Sequence, residues 1–193
     1  MRRSLVACIL LCAAAAATAA AKSAARAADD GPPAKGFAVG APIPADLRVT
    51  LTDLSGASVL LKDRIPPASV DARGALLVFW ATWCAPCIQE IPTLRSLNDF
   101  YRAKGFRVIG VGMNEGGDTL PLVKAAVNRH GINYEVLFDA QGEARTAVDM
   151  PGIPWSVLVD GDGVVQWAGP ALPKDASARI RAILTLKEER GSR

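Results

Sequence analysis

Trp83-Cys84-Ala85-Pro86-Cys87 is the segment of this chain where residue type and spacing could do chemistry together. Two thiols two residues apart can close a disulfide, exchange it with a foreign one, or supply half the ligands of a metal site. Placement separates these options better than the motif does. The continuous apolar run Ala75–Trp80 reads as a strand buried on both faces, and Cys84 to Lys104 reads as a helix closed by Gly105. Cys84 therefore falls at a helix N-terminus, where unpaired N–H groups and the positive end of the macrodipole favour a thiolate and lower its pKa. Cys87 lies on the same helical face one turn inward. In that arrangement Cys84 attacks and a shielded Cys87 resolves. Pro86, in the first turn, gives up an N–H that has no helical partner there.

Other uses of the pair fit less well. Zinc wants four ligands, and the single histidine, His130, ends a different predicted helix. A purely structural disulfide across four residues closes too small a loop to stabilise much. A peroxidase would centre on one lone cysteine with a hydroxyl or arginine beside it. A copper-handling protein remains open, with Cys84 and Cys87 holding Cu(I) and Met113 or Met150 folding close.

Whatever the chemistry, the chain must position it. With 193 residues, 50% of them hydrophobic, it can fill one core but not two ordinary ones. Seventeen glycines and 13 prolines among evenly spread apolar residues exclude collagen-like, disordered and coiled-coil classes. Net charge is +3, and without Arg2 and Arg3 it is 20 basic against 19 acidic groups, or +1. No basic stripe invites nucleic acid.

The domain is predicted to run from Phe37. Leu47–Leu51 and Ser58–Leu61 read as strands around the turn Asp53-Leu54-Ser55-Gly56, and Arg64–Arg73 as a loop. After the dithiol helix come a buried strand, Phe106–Val111, and a helix capped by Asp118 that runs to His130 and stops at Gly131. Tyr134–Phe138 is a strand and Glu143–Val148 a short helix. Ser156–Val159 and Val164–Trp167 flank the hairpin signal Asp160–Gly163, and Asp175–Leu186 is an amphipathic closing helix. This order predicts an α/β sandwich with a mixed central sheet.

Residues 1–21 combine a basic start, an uncharged run from Leu5 to Ala21 and small-x-small cleavage patterns. They are expected to be a signal peptide, or an uncleaved anchor tethering the protein to a membrane. Residues 22–36 are expected to be a flexible linker and 37–193 the folded domain. Cys8 and Cys12 fall in the leader, so a processed chain keeps one cysteine pair.

Phe79-Trp80-Ala81-Thr82-Trp83-Cys84-Ala85-Pro86-Cys87 resembles the active-site segment of the thioredoxin superfamily, most closely its TlpA/ResA-like thiol–disulfide oxidoreductases. The resemblance extends from about Gly40 to Leu186. Pro92 matches the proline inside that family's active-site helix, Gly152-Ile153-Pro154 its cis-proline segment, and 114–138 its extra α-β unit. A thioredoxin-like fold is implied, with an N-terminal β-hairpin and an α-β insertion. So is an envelope or periplasmic enzyme that reduces disulfides in exported proteins, for example in cytochrome c maturation. A membrane electron donor would restore its dithiol, and no cofactor or metal is implied.

The resemblance also implies roles for particular residues. Without it, a trans proline at a strand start is the favoured reading of Pro154. With it, a cis bond leaves the Ile153 backbone free to pair with an extended substrate, and Trp83, Ile153, Pro154 and Trp155 become candidate substrate contacts. Trp155 stands where relatives carry a small polar residue, so it is expected to widen an apolar docking surface or narrow the substrate range. Val78 stands where thioredoxin has a buried acid, six residues before the first cysteine. Glu90, one helical turn beyond Cys87, matches a glutamate found near the dithiol in ResA-like relatives and is the candidate base for Cys87; a merely solvated helix residue is its other reading.

Overall fold

In the computed structural model, residues 37–191 are described, with side chains described from 37 to 185. The expected leader and linker lie outside the described residues. In chain order the elements are β1 (Thr50–Asp53), β2 (Ser58–Leu60), β3 (Gly74–Trp80), α1 (Ala85–Tyr101), β4 (Phe106–Met113), α2 (Leu120–His130), β5 (Glu135–Asp139), α3 (Glu143–Val148), β6 (Trp155–Asp160), β7 (Val165–Pro170) and α4 (Ala176–Gly191).

Asp53 ends β1 in an Asx turn: its Oδ1 accepts from the Ser55 N–H at 2.8 Å, the Ser55 hydroxyl at 2.6 Å and the Ala57 N–H at 3.0 Å. That local bond set forces the chain back on itself and makes the β1–β2 hairpin. At the end of the dithiol helix, the chain tightens into a 3-10 turn over Arg102–Lys104 and leaves it through Gly105, at φ 82°. The expected helix 84–104 is thus an α-helix with a tightened last turn. Pro92 sits inside α1, which continues through it to Tyr101.

The strands form one mixed sheet in the order β2-β1-β5-β4-β3-β6-β7. β3, β4 and β5 run parallel, while β6 runs antiparallel to β3 with Phe79 opposite Trp155. The N-terminal hairpin joins through β1, antiparallel to β5 with Thr52 opposite Phe138. β3 is buried along its whole length and β4 nearly so, as their unbroken apolar runs require of central strands covered on both faces. On one face, Leu77, Phe79, Val111 and Val157 pack with Phe37, Leu51 and Val148. On the other, Leu76 and Val78 meet Leu94 of α1 and Ile180 of α4, while Trp80 and Val136 meet Val123 of α2.

One expectation is corrected here. Asp118 does not cap α2: the N-cap is Thr119, without a side-chain capping bond, and the Asp118 carboxylate is spent elsewhere. Its backbone N–H lies 3.4 Å from the Glu115 carbonyl in a turn that aims the side chain back toward Thr82.

Candidate active site

Strand directions gather the chemistry at one end of the sheet. The C-terminal ends of β3, β4 and β5 lead to Thr82–Cys84, to 114–118 and to 140–142. The antiparallel β6 starts at that same end, bringing Ile153 and Pro154 there. Crevices beyond strand ends are where open α/β sheets place their sites.

Cys84 and Cys87 are joined by a disulfide, with Cα atoms 5.3 Å apart. Cys84 is the N-cap of α1, and its sulfur accepts the backbone N–H of Cys87 at 3.3 Å. An N-cap normally satisfies an orphan N–H with a side-chain oxygen, and here a sulfur does that work. The two cysteines are almost equally buried, 3% and 2% exposed. Exposure therefore does not distinguish the two thiols, whereas the Cys87 N–H directed at the Cys84 sulfur sets them apart.

The Ile153–Pro154 bond is cis, as expected. No backbone hydrogen bond joins Ile153 to another described residue, whereas the Pro154 carbonyl accepts from the Ala171 N–H at 3.2 Å. A groove of about 440 Å³ runs beside them, lined by Pro86, Glu90, Thr93, Pro154 and Leu172. Glu90 reaches across it: its Oε1 accepts the Leu172 backbone N–H at 2.8 Å, while its Oε2 is buried with no hydrogen-bond partner among the described residues. Burial raises the Glu90 carboxyl pKa, and the Leu172 N–H offsets part of that rise. The Tyr134 phenol is also pushed up, first by burial and then by the Glu90 charge. Val78 is buried in the apolar cluster beneath α1, so the position of the thioredoxin acid is hydrocarbon here.

Trp83 is 55% exposed and donates its indole N–H to the Glu115 carbonyl at 2.7 Å. It is available for contact. Trp155 is not: at 1% exposed it packs with Phe79 and Val157 in the core on the far face of the sheet. The expectation that Trp155 forms a docking surface is corrected, because alternation along β6 turns its side chain away from the groove. Met113 and Met150 lie in that same far-face cluster and the cysteines in another, so neither methionine joins the dithiol.

Sequence reasoning missed Thr82, Glu115, Gly116 and Leu172. Only the Gly116-Gly117 pair left any local trace, and it reads as an ordinary loop. The partners of the others come from 32 to 82 residues away.

A mixed sheet with an N-capping disulfide beside a cis-proline defines a thioredoxin-like dithiol protein. Residues 38–180 match the redoxin family, and the chain belongs to it. It is 34% identical over 115 residues to the thiol-disulfide oxidoreductase ResA of Bacillus thuringiensis (strain Al Hakam), covering 60% of this chain and 61% of that protein. The chain thus spans less than two thirds of the length of that relative. To ResA of Geobacillus kaustophilus it is 32% identical over 129 residues, 67% of each chain. Among solved structures, a thiol:disulfide interchange protein of the thioredoxin family from Chlorobium tepidum TLS superposes with a TM-score of 0.59 at 28% identity, covering 76% of this chain and 99% of that one.

Proposed function

We propose that this protein is a thiol–disulfide oxidoreductase of the cell envelope that reduces disulfides in exported proteins, including those of cytochrome c maturation. The observation that carries the reading is the Cys84–Cys87 disulfide at the N-terminus of α1, with the Cys87 N–H aimed at the Cys84 sulfur. In the reduced protein the Cys84 thiolate attacks one substrate sulfur. The substrate S–S bond breaks, a first substrate thiolate leaves, and a mixed disulfide forms. Cys87 then loses its proton and attacks the Cys84 sulfur, releasing the second substrate thiolate and restoring the internal disulfide. Two electrons have passed to the substrate, and a membrane dithiol donor returns them. Glu90 takes the Cys87 proton, burial having raised its carboxyl pKa so that it holds a proton more readily than an exposed carboxylate. Trp83 and the unpaired Ile153 backbone receive the substrate segment as an added strand.

The reduced protein is expected to reduce insulin disulfides with dithiothreitol as donor. Cys84→Ser should abolish this, and Cys87→Ser should stall as a mixed disulfide that captures partners from the envelope fraction. Full activity in Cys84→Ser would overturn the reading. Export is checked by N-terminal sequencing of the mature protein, expected to begin near Ala20 or Lys22. An intact Met1 on soluble cytosolic protein would refute it.

A further inference from the structure

The loop between β4 and α2 grips the approach to Cys84 at three points. Asp118 is 4% exposed, and both its oxygens accept from Thr82: Oδ2 from the backbone N–H at 2.7 Å and Oδ1 from the hydroxyl at 2.5 Å. The Glu115 carbonyl takes the indole N–H of Trp83. Gly116 lies against that indole, where a Cβ would come within 2.6 Å of Nε1. The Glu115 side chain is itself paired with Arg145 of α3.

A buried carboxylate is costly unless its oxygens are satisfied. This one is satisfied by a single residue 36 positions away, two before Cys84. Its own helix makes no use of it as a cap. β3 ends at Trp80, so Thr82 has left the sheet ladder and its N–H needs another acceptor. Asp118 is that acceptor. Downstream of the anchor, the Cys84 N–H lies 3.2 Å from the Ala81 carbonyl and the Cys84 sulfur faces the Cys87 N–H. Both contacts depend on the backbone path through Thr82 and Trp83.

We propose that Asp118 is a positioning residue for the dithiol, the side chain through which the α-β insertion holds the Thr82–Cys84 turn so that the Cys84 sulfur meets the Cys87 N–H. The inference rests on Cys84 being the reactive thiol. Its readout, alkylation by iodoacetamide, involves no protein substrate, so a failed insulin assay and a failed anchor are told apart.

The experiment follows the pH dependence of Cys84 alkylation in a Cys87→Ser background. Asp118→Asn keeps an oxygen for the Thr82 N–H and an amide that can donate to the hydroxyl, whereas Asp118→Ala keeps neither. Both lose the charge, so their difference isolates the anchor. At pH 7 the Ala variant should react about three- to tenfold more slowly than the Asn variant, with its profile displaced to higher pH, in keeping with loss of the two neutral hydrogen bonds to Thr82 that Asn can still make. Asn98→Ala removes a buried side-chain bond to the Asn133 carbonyl at 3.0 Å near the other end of α1, and should lower stability without moving the profile. Identical profiles for the Ala and Asn variants, or an equal displacement in Asn98→Ala, would overturn the proposal. Should Asp118→Ala not fold, Thr82→Val, which deletes only the hydroxyl bond, decides: a displaced profile supports the anchor and the parent's profile sinks it.

Discussion

The backbone N–H of Cys87 points at the sulfur of Cys84, 3.3 Å away, so the two residues are linked by a hydrogen bond as well as by the disulfide. Reduction breaks the covalent link but leaves the donor in place, and a thiolate is the better acceptor. Among the described residues no hydrogen bond reaches the Cys87 sulfur, and Cys87 lies within the first turn of α1. Cys84 of the reduced protein is therefore expected to alkylate about tenfold or more faster than Cys87 at neutral pH, since one such bond and the helix terminus both act on it. Quenched-flow alkylation read by mass spectrometry checks this; equal rates would reverse the assignment.

With hydrocarbon at Val78, Glu90 is the base proposed for Cys87. Glu90→Gln should slow insulin turnover about tenfold near pH 7 and reshape the pH–rate profile, while the Gln side-chain oxygen still accepts the Leu172 N–H. An unchanged rate and profile would make Glu90 a bystander.

The raised carboxyl pKa of Glu90 also sets the sign of a stability effect. A carboxyl whose folded pKa exceeds its unfolded value binds more protons when folded, so stability falls as pH rises from the ordinary carboxyl range through the folded pKa. Relative to Glu90→Gln, the parent should lose stability across that window and regain it on acidification. Urea midpoints of the pair at several pH values would show it; a gap that stays constant with pH counts against the burial argument.

Trp155 belongs to the core, so its loss should register in folding rather than in substrate preference. Trp155→Ala is expected to cost about 3–5 kcal/mol in chemical denaturation, as for other large-to-small core changes. A stable variant with an altered KM would return Trp155 to the binding surface.

Gly116 combines φ 64° with a close approach to the Trp83 indole. Gly116→Ala must both strain the backbone and displace the ring, at a cost of about 1–3 kcal/mol. Trp83 fluorescence should change along with stability, and an unaltered spectrum would mean that the loop yields instead of the indole.

How far the sequence went can be judged residue by residue. Ala75–Trp80 and the helix behind Cys84 were legible because burial on both faces writes a continuous apolar run and helix termination writes a glycine. The β6–β7 hairpin was equally legible, Asp160 Oδ1 accepting the Asp162 N–H at 2.9 Å and the Val164 N–H at 3.0 Å. Asp118 was misread because a carboxylate one residue before a helical pattern looks like a cap, and nothing local says that Thr82 will compete for it. Trp155 was misread because the family's substrate-facing proline precedes it by one residue, and one residue along a strand reverses the face.

By itself, then, the sequence determined which residues could carry redox chemistry, the elements that hold them and the alternation that buries each strand, because all of these are written in spacing along the chain. Only the tertiary structure decided that Glu90 would bond to Leu172, that Asp118 would anchor Thr82, and that the hairpin would join the sheet beside β5. Those pairings join residues that are distant along the chain, and they form because buried polar groups must find partners wherever packing brings one within reach.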